Sequence, residues 1–270
     1  MNKMEDALYI HPVNRKDEWK KFWNLIWALS AREIKGRYRR SLLGPFWAVL
    51  QPLFYMVIFT FIRGMLDIPS DGIPYVVFTY SVLVPWTFFS NVVARCAPSI
   101  MANASLVKKI SIRREVFPAA SIITAFLDFL IASIILVLMM IWFEVPLSLN
   151  LLWVPVLMVL TASLALGIGL GASALGTYKQ DISMVLPFVM QFWILATPIM
   201  YPLSKVPLSW LPYYRLNPMV GLIDAYRNVL IKAIPPDLTL LLISVVELIL
   251  IWAVALTLFR KMSRYFADVL

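Results

Sequence analysis

The sequence predicts an all-α integral membrane protein. Six transmembrane helices are expected, preceded by an amphipathic interfacial helix, with an outer re-entrant or interfacial helical hairpin before the last span. Three observations predict it. The 270 residues are 61% hydrophobic with a mean hydropathy of +0.81, whereas a soluble domain is nearer half apolar. Apolar runs close to the ~20 residues that cross ~30 Å of hydrocarbon recur along the chain. None of these runs alternates as a strand would, which sets aside a closed barrel, the other backbone arrangement that survives in lipid.

Residues 1–42 read as a cytoplasmic N-terminal segment and 43–270 as the transmembrane domain. The first forty residues are polar and charged, so no cleavable signal is expected. Within 16–41, Trp19, Phe22, Trp23, Ile26, Ile34 and Tyr38 recur at helical steps, with Lys20, Lys21, Asn24, Lys35 and Arg39 on the other side. That pattern suits a helix lying in the inner interface, its aromatic side chains as anchors and its bases toward lipid phosphates. Arg32, Lys35, Arg37, Arg39 and Arg40 crowd its end, and Gly44-Pro45 then turns the chain into the membrane, with proline at a first-turn position where its missing N–H does no harm. The spans are expected at about 43–62, 74–99, 117–143, 151–177, 183–202 and 238–259. The loop 104–117, ASLVKKISIRREVF, reads as a short basic helix facing the cytoplasm. The stretch 203–237 is apolar and broken by prolines, and Pro218 starts a helix to about Ala233 that is too short and polar to span.

Lys and Arg set the orientation. With the N-terminus inside, eighteen of the 24 fall on the inner side, which places both termini in the cytoplasm of a multi-pass protein of a prokaryotic plasma membrane. The net charge of +9 is thereby assigned to membrane lipids as partners, not to nucleic acid. A single cysteine, Cys96, and a single histidine, His11, exclude an internal disulfide and a Cys/His metal site.

Catalytic constellations are missing. The chain has no G-x-x-x-x-G-K-[ST], no G-x-S-x-G and no H-E-x-x-H. It is not expected to be an enzyme or to bind a cofactor. Three ionisable groups fall inside spans, Arg95, Asp128 and Glu247, where burial is costly. Counted from the loop 106–114 at ~1.5 Å per residue, Arg95 and Asp128 come nearly level, so they are expected to pair, mainly to fix packing. Glu247 has no obvious partner and would face a wet pathway or a subunit interface. Gly167 and Gly171 in GIGLGAS let helices approach closely, within the chain rather than between chains. Of the many aromatics, Phe54, Tyr55 and Phe59 in the first span are the candidates for lining a sugar passage, because rings stack on the apolar faces of sugars.

Taken together, REIKGRYRRSLLGPFWAVLQP, the loop KKISIRREVFP, and the outer TPIMYPLSKVP and NPMVGLIDAYRNVL resemble the permease subunit of type-2 ABC exporters. Those exporting O-antigen and other lipid-linked polysaccharides are the most similar, and the likeness runs over about residues 20–265. The resemblance implies a homodimer with two copies of a separate cytoplasmic ATP-binding subunit that holds ATP and Mg. It implies a gate helix at the N-terminus, with Arg37, Arg39 and Arg40 able to meet the pyrophosphate of an undecaprenyl-linked glycan. It assigns coupling to that ATPase to Ile112, Arg113, Arg114, Glu115 and Phe117, with Lys179 and Asp181 as a smaller contact, and an exit cover to the hairpin around Asn217 and Pro218. Export of teichoic acid, capsule or another amphiphile is the alternative within the class. An ion-coupled secondary transporter is disfavoured, since no inverted repeat is evident, and so is a glycan-processing enzyme, since no accessible acid–base pair is present.

Overall fold

Nineteen buried side chains fall on one helix, Tyr75–Ser99, and this helix is the post around which the others stand. The computed structural model describes residues 15–39, 41–109 and 112–270; His11 and Arg40 lie outside them. In chain order, α1 covers Arg15–Tyr38, and a 3-10 turn Gly44–Phe46 leads into α2, Trp47–Leu66. The post is α3, Tyr75–Ser99, followed by a short α4, Ala104–Lys109, and by α5, Val116–Trp142. A second 3-10 turn, Leu149–Trp153, opens α6, Val154–Tyr178. Then come α7, Asp181–Leu195, α8, Leu211–Tyr214, α9, Pro218–Leu230, α10, Leu238–Ser263, and α11, Phe266–Val269. Among the described residues there is no strand.

Among the described residues, five helical stretches are long and apolar enough to cross a membrane: Gly44–Leu66, Tyr75–Ser99, Val116–Trp142, Leu149–Tyr178 and Leu238–Ser263. They match five of the expected spans to within a few residues. The run expected at 183–202 behaves differently. Its helix begins at Asp181 and stops at Leu195, fifteen residues in all, or about 22 Å of rise against the ~30 Å of hydrocarbon. Pro198 explains the stop: it supplies no N–H and disfavours helical backbone at Thr197, and the chain turns through 196–200.

α3 carries almost no polar side chain apart from hydroxyls along its middle, and α2, α5, α6, α7 and α9 pack around it. Trp86 and Phe89 meet Trp193 of α7 edge-on. α3 and α6 approach closely. A Cβ on Gly169 would lie 2.6 Å from the Cβ of Cys96, so the glycine row of span four serves packing inside the chain, as expected. The helix α9 is more deeply placed. It ends at Leu230 rather than near Ala233, and every residue except Asp224 is buried. It sits inside the bundle against α3, α6 and α10, which of the two expected placements sets aside the interfacial one. Asn217 caps it, its side chain accepting from Met219 N at 3.1 Å, and Pro218 occupies its first turn.

The apolar side of α1 is broad and only part of it is buried. Ile26, Leu29 and Ser30 are buried, with Phe22 beside them, while Trp19, Trp23 and Trp27, four residues apart, form an exposed stripe along the flank of that face, where Phe22 meets Trp19 and Trp23 edge-on. The buried face lies along α5 in the same direction. Ser30 donates to the carbonyl of Ala120 at 3.0 Å, Thr124 donates to Glu33 at 3.4 Å, and Arg37 reaches Asp128.

Two glycines test this packing in opposite senses. Gly169→Leu should destabilise the chain by about 1–3 kcal/mol, as overpacking does. Gly36→Ala, in α1 where nothing lies within 4 Å of the added carbon, should stabilise it by roughly 0.5–1 kcal/mol. Apparent melting temperatures of the two variants in one detergent, read by size-exclusion after heating, should move in opposite directions.

Candidate functional site

The cost of burying charge brings four ionisable side chains from three helices to one point. Asp128 on α5 has a side chain only 9% exposed. One of its oxygens accepts from Arg95 of α3 at 2.9 Å and from Arg37 of α1 at 2.7 Å. Glu33, one turn before Arg37, accepts from Arg95 at 3.1 Å and from Arg37 at 3.3 Å. Each arginine therefore bridges both carboxylates. The expected Arg95–Asp128 contact is present, enlarged by two residues that the sequence suggested for other work or passed over. Arg37, the candidate for a lipid pyrophosphate, is engaged with carboxylates of its own chain, while Arg39 beside it is exposed. Glu33 had one readable signal, its i,i+4 spacing to Arg37. Burial raises the Glu33 carboxyl above its ordinary range, and the Arg37 charge opposes that rise.

The knot borders the basic end of the bundle, where the residues after the disjoined α4 gather. The helix expected over 104–117 spans only Ala104–Lys109, and 112–115 form an open link into α5. Arg113 stacks over Trp19 of α1 at 5.7 Å, and Arg114 over Phe266 of α11 at 5.7 Å. Arg113 is exposed, Ile112, Arg114 and Glu115 are half-buried, and Phe117 is buried among α1, α6 and α10 side chains. Phe117 is thus an anchor for the link, and the surface that a partner can touch is Arg113 with the edges of its neighbours. Lys179 and Asp181, joining α6 to α7, are exposed.

On α2, Phe54 is exposed and Tyr55 half-buried; both border a groove of about 250 Å³ with Trp47, Gln51 and Ile58. Phe59 differs from the other two, turning into the core at 4% exposure. Toward the opposite end, Arg227 is fully buried rather than a surface cation. It donates to the carbonyls of Ile199 at 3.0 Å and Tyr201 at 3.3 Å, and its guanidinium lies 4.0 Å above the ring of Phe78. Asn217 holds the same turn, accepting from Trp193 Nε1 at 3.0 Å and donating to Thr197 Oγ1 at 3.1 Å. These bonds tie the 196–201 turn to α3, α7 and α9. Nothing in the sequence pattern distinguished Arg227 from an orientation-setting arginine. Glu247, midway along α10, has both carboxyl oxygens buried without a hydrogen-bond partner.

The family described as ABC-2 type transporter matches residues 24–231. The chain belongs to that family. The match takes in all four charges of the knot, the link 112–115, the α6–α7 turn and α9. Similar curated proteins include an O-antigen export system permease protein RfbA of Myxococcus xanthus, 27% identical over 249 residues, covering 90% of this chain and 94% of the relative. Another of that name, from Klebsiella pneumoniae, is 26% identical with 92% and 95% covered. The polysialic acid transport protein KpsM of Escherichia coli is 31% identical over 212 residues, with 74% of this chain and 79% of the relative covered.

An ABC-2 chain built this way should be more sensitive at Asp128 than at Glu33. Asp128→Ala removes the buried carboxylate that both guanidinium groups share, leaving them only the more exposed Glu33, and should cost about 3 kcal/mol, whereas Glu33, 39% exposed, should cost clearly less when truncated. Glu33 also gives a pH signature. Its value in the folded chain lies above the ordinary 4.5, so the folded state holds the extra proton. The stability it contributes is complete below about 4.5 and is lost as pH rises through the raised value. Thermal unfolding of Glu33→Gln should therefore show a shallower fall with pH over that window than the parent chain.

Proposed function

We propose that this chain is the transmembrane subunit of an ATP-driven exporter of a polysaccharide. The observation that carries the reading is near-full-length similarity to permeases named for O-antigen export, in a chain of the ABC-2 type transporter family whose sequence has no phosphate-binding loop of its own. Hydrolysis of ATP is then the task of a separate ATP-binding subunit, present in two copies beside a homodimer of this chain. Hydroxyl-rich cargo cannot cross hydrocarbon with its hydrogen bonds unmade. The exposed aromatic face of α2, with Phe54 and Tyr55, suits the wall of an enclosed route once a second copy faces it.

Within that reading both termini are cytoplasmic, and the basic end is the inner face of the plasma membrane. α7 together with the turn after it makes the sixth, broken crossing, and α8 with α9 forms a re-entrant hairpin that returns to the outer face. Arg113, with Lys179 and Asp181, is the contact with the ATPase. The cargo is taken as a glycan on an undecaprenyl pyrophosphate. Similarity to polysialic acid transport proteins favours a capsule-type cargo as the second reading, but it covers 74% of this chain where the O-antigen permeases cover at least 90%.

Proteoliposomes containing this chain and its ATPase should move a lipid-linked glycan only with hydrolysable ATP and without regard to ionophores; movement driven by an ion gradient in the absence of ATP would sink the proposal. In the same vesicles Arg113→Glu should lower glycan-stimulated ATP hydrolysis at least fivefold, with recovery of the chain in the membrane unchanged.

A further inference from the structure

A cavity of about 350 Å³ opens between α1, the basic end of α3 and the start of α5. At ~30 Å³ per water, it has room for a phosphate group and several waters. Its polar lining includes Arg32, Arg95, Asn103 and Ser121, with Glu33 at one side. Arg32 donates to Asn103 Oδ1, which leaves most of its N–H groups available. Arg95 gives one nitrogen to Glu33 and another to Asp128. Around the cavity and the knot, the described side chains carry three guanidinium groups, Arg32, Arg37 and Arg95, against two carboxylates, Glu33 and Asp128. Leu29 and Phe117 supply an apolar wall. The tryptophan stripe of α1, Trp19, Trp23 and Trp27, sets this helix at headgroup depth.

We infer that this cavity binds the phosphate-ester headgroup of a membrane lipid between Arg32 and Arg95. The planar fork of each guanidinium suits two phosphate oxygens, and Asn103 and Ser121 supply further donors. An arriving phosphate competes with Glu33 for Arg95 while Asp128 keeps its own bond to the same side chain. Binding therefore weakens the direct ion pair between α1 and α3 and leaves the indirect connection through Asp128. The headgroup has two sources, an anionic lipid of the bilayer or the pyrophosphate of the lipid-linked cargo; the second rests on the function proposed above and the first does not.

Native mass spectrometry of the purified full chain, titrated with phosphatidylglycerol, undecaprenyl pyrophosphate and phosphatidylcholine, tests this. The two anionic lipids should bind at least ten times more tightly than phosphatidylcholine. Arg32→Gln and the cavity-filling Ala102→Trp should each weaken anionic-lipid binding about tenfold, with melting temperatures within a degree or two of the parent's. Weakening of undecaprenyl pyrophosphate alone assigns the site to cargo, weakening of phosphatidylglycerol alone assigns it to the bilayer, and weakening of both makes it a general headgroup site. Unchanged affinity in both variants overturns the inference. So does an equal loss from Arg215→Gln, an exposed arginine far from the cavity, because binding would then follow bulk charge. Failure of glycan transport alongside intact phosphatidylglycerol binding would count against the export reading and leave the site standing.

Discussion

Ionised groups in a low-dielectric setting must find partners, and this constraint fixes where α1 sits. Without the knot, α1 would rest on apolar contacts of Phe22, Ile26 and Leu29, a patch that helices can slide over, and on a few single contacts at Ser30, Arg32 and Trp19. Asp128 shares one oxygen between guanidinium groups from two other helices, and that geometry defines rotation, register and depth at once. A buried ion pair adds little to net stability compared with apolar side chains of the same size. Its value here is that alternatives are worse: any shift of α1 along α5 by one turn strands Arg37 and Asp128 in a place without water.

The same constraint decides what could be read from the sequence. Arg95 and Asp128 stand inside apolar runs, where charges are conspicuous, and counting residues from the intervening loop was enough to pair them. Glu33 and Arg37 stand in a segment rich in charge, where a solvated face is the ordinary meaning of such residues, so their roles emerged only once α1 was seen to lean on α5. Five spans were legible from length and hydropathy because each is a continuous apolar run. The run at 183–202 is equally apolar, but hydropathy does not register the backbone conflict at Thr197-Pro198 that ends its helix. For α9, composition left a re-entrant and an interfacial placement open. Arg227 and Asn217 spend their hydrogen bonds on the carbonyls and side chains of the turn beside them, which makes burial tolerable.

Arg227 and the knot answer one problem at opposite ends of α3. At the far end a guanidinium closes on backbone carbonyls and an aromatic ring, contacts that do not change with pH or with an anion in solution. At the basic end two guanidinium groups close on carboxylates, contacts that a phosphate or a proton can replace. The first arrangement is suited to holding a turn permanently, the second to letting a helix go.

The basic end also joins these parts mechanically. The link 112–115 is pinned from both sides, by Arg113 on Trp19 of α1 and by Arg114 on Phe266 of α11, and it continues directly into α5. From Val116 to Asp128 is twelve residues of unbroken helix, roughly 18 Å at 1.5 Å per residue. A helix over that length is stiff, so a force applied at Arg113 acts on α1 twice, once through the stacked ring and once through α5 and Asp128. Those two points of attachment lie near the two ends of α1. A displacement of the link would therefore act on α1 on both sides of the packed stretch at Ile26–Ser30. A tilt of α1 would change the space between α1 and α3, and that space is the cavity lined by Arg32 and Arg95. Access to the proposed headgroup site would then follow the position of the link.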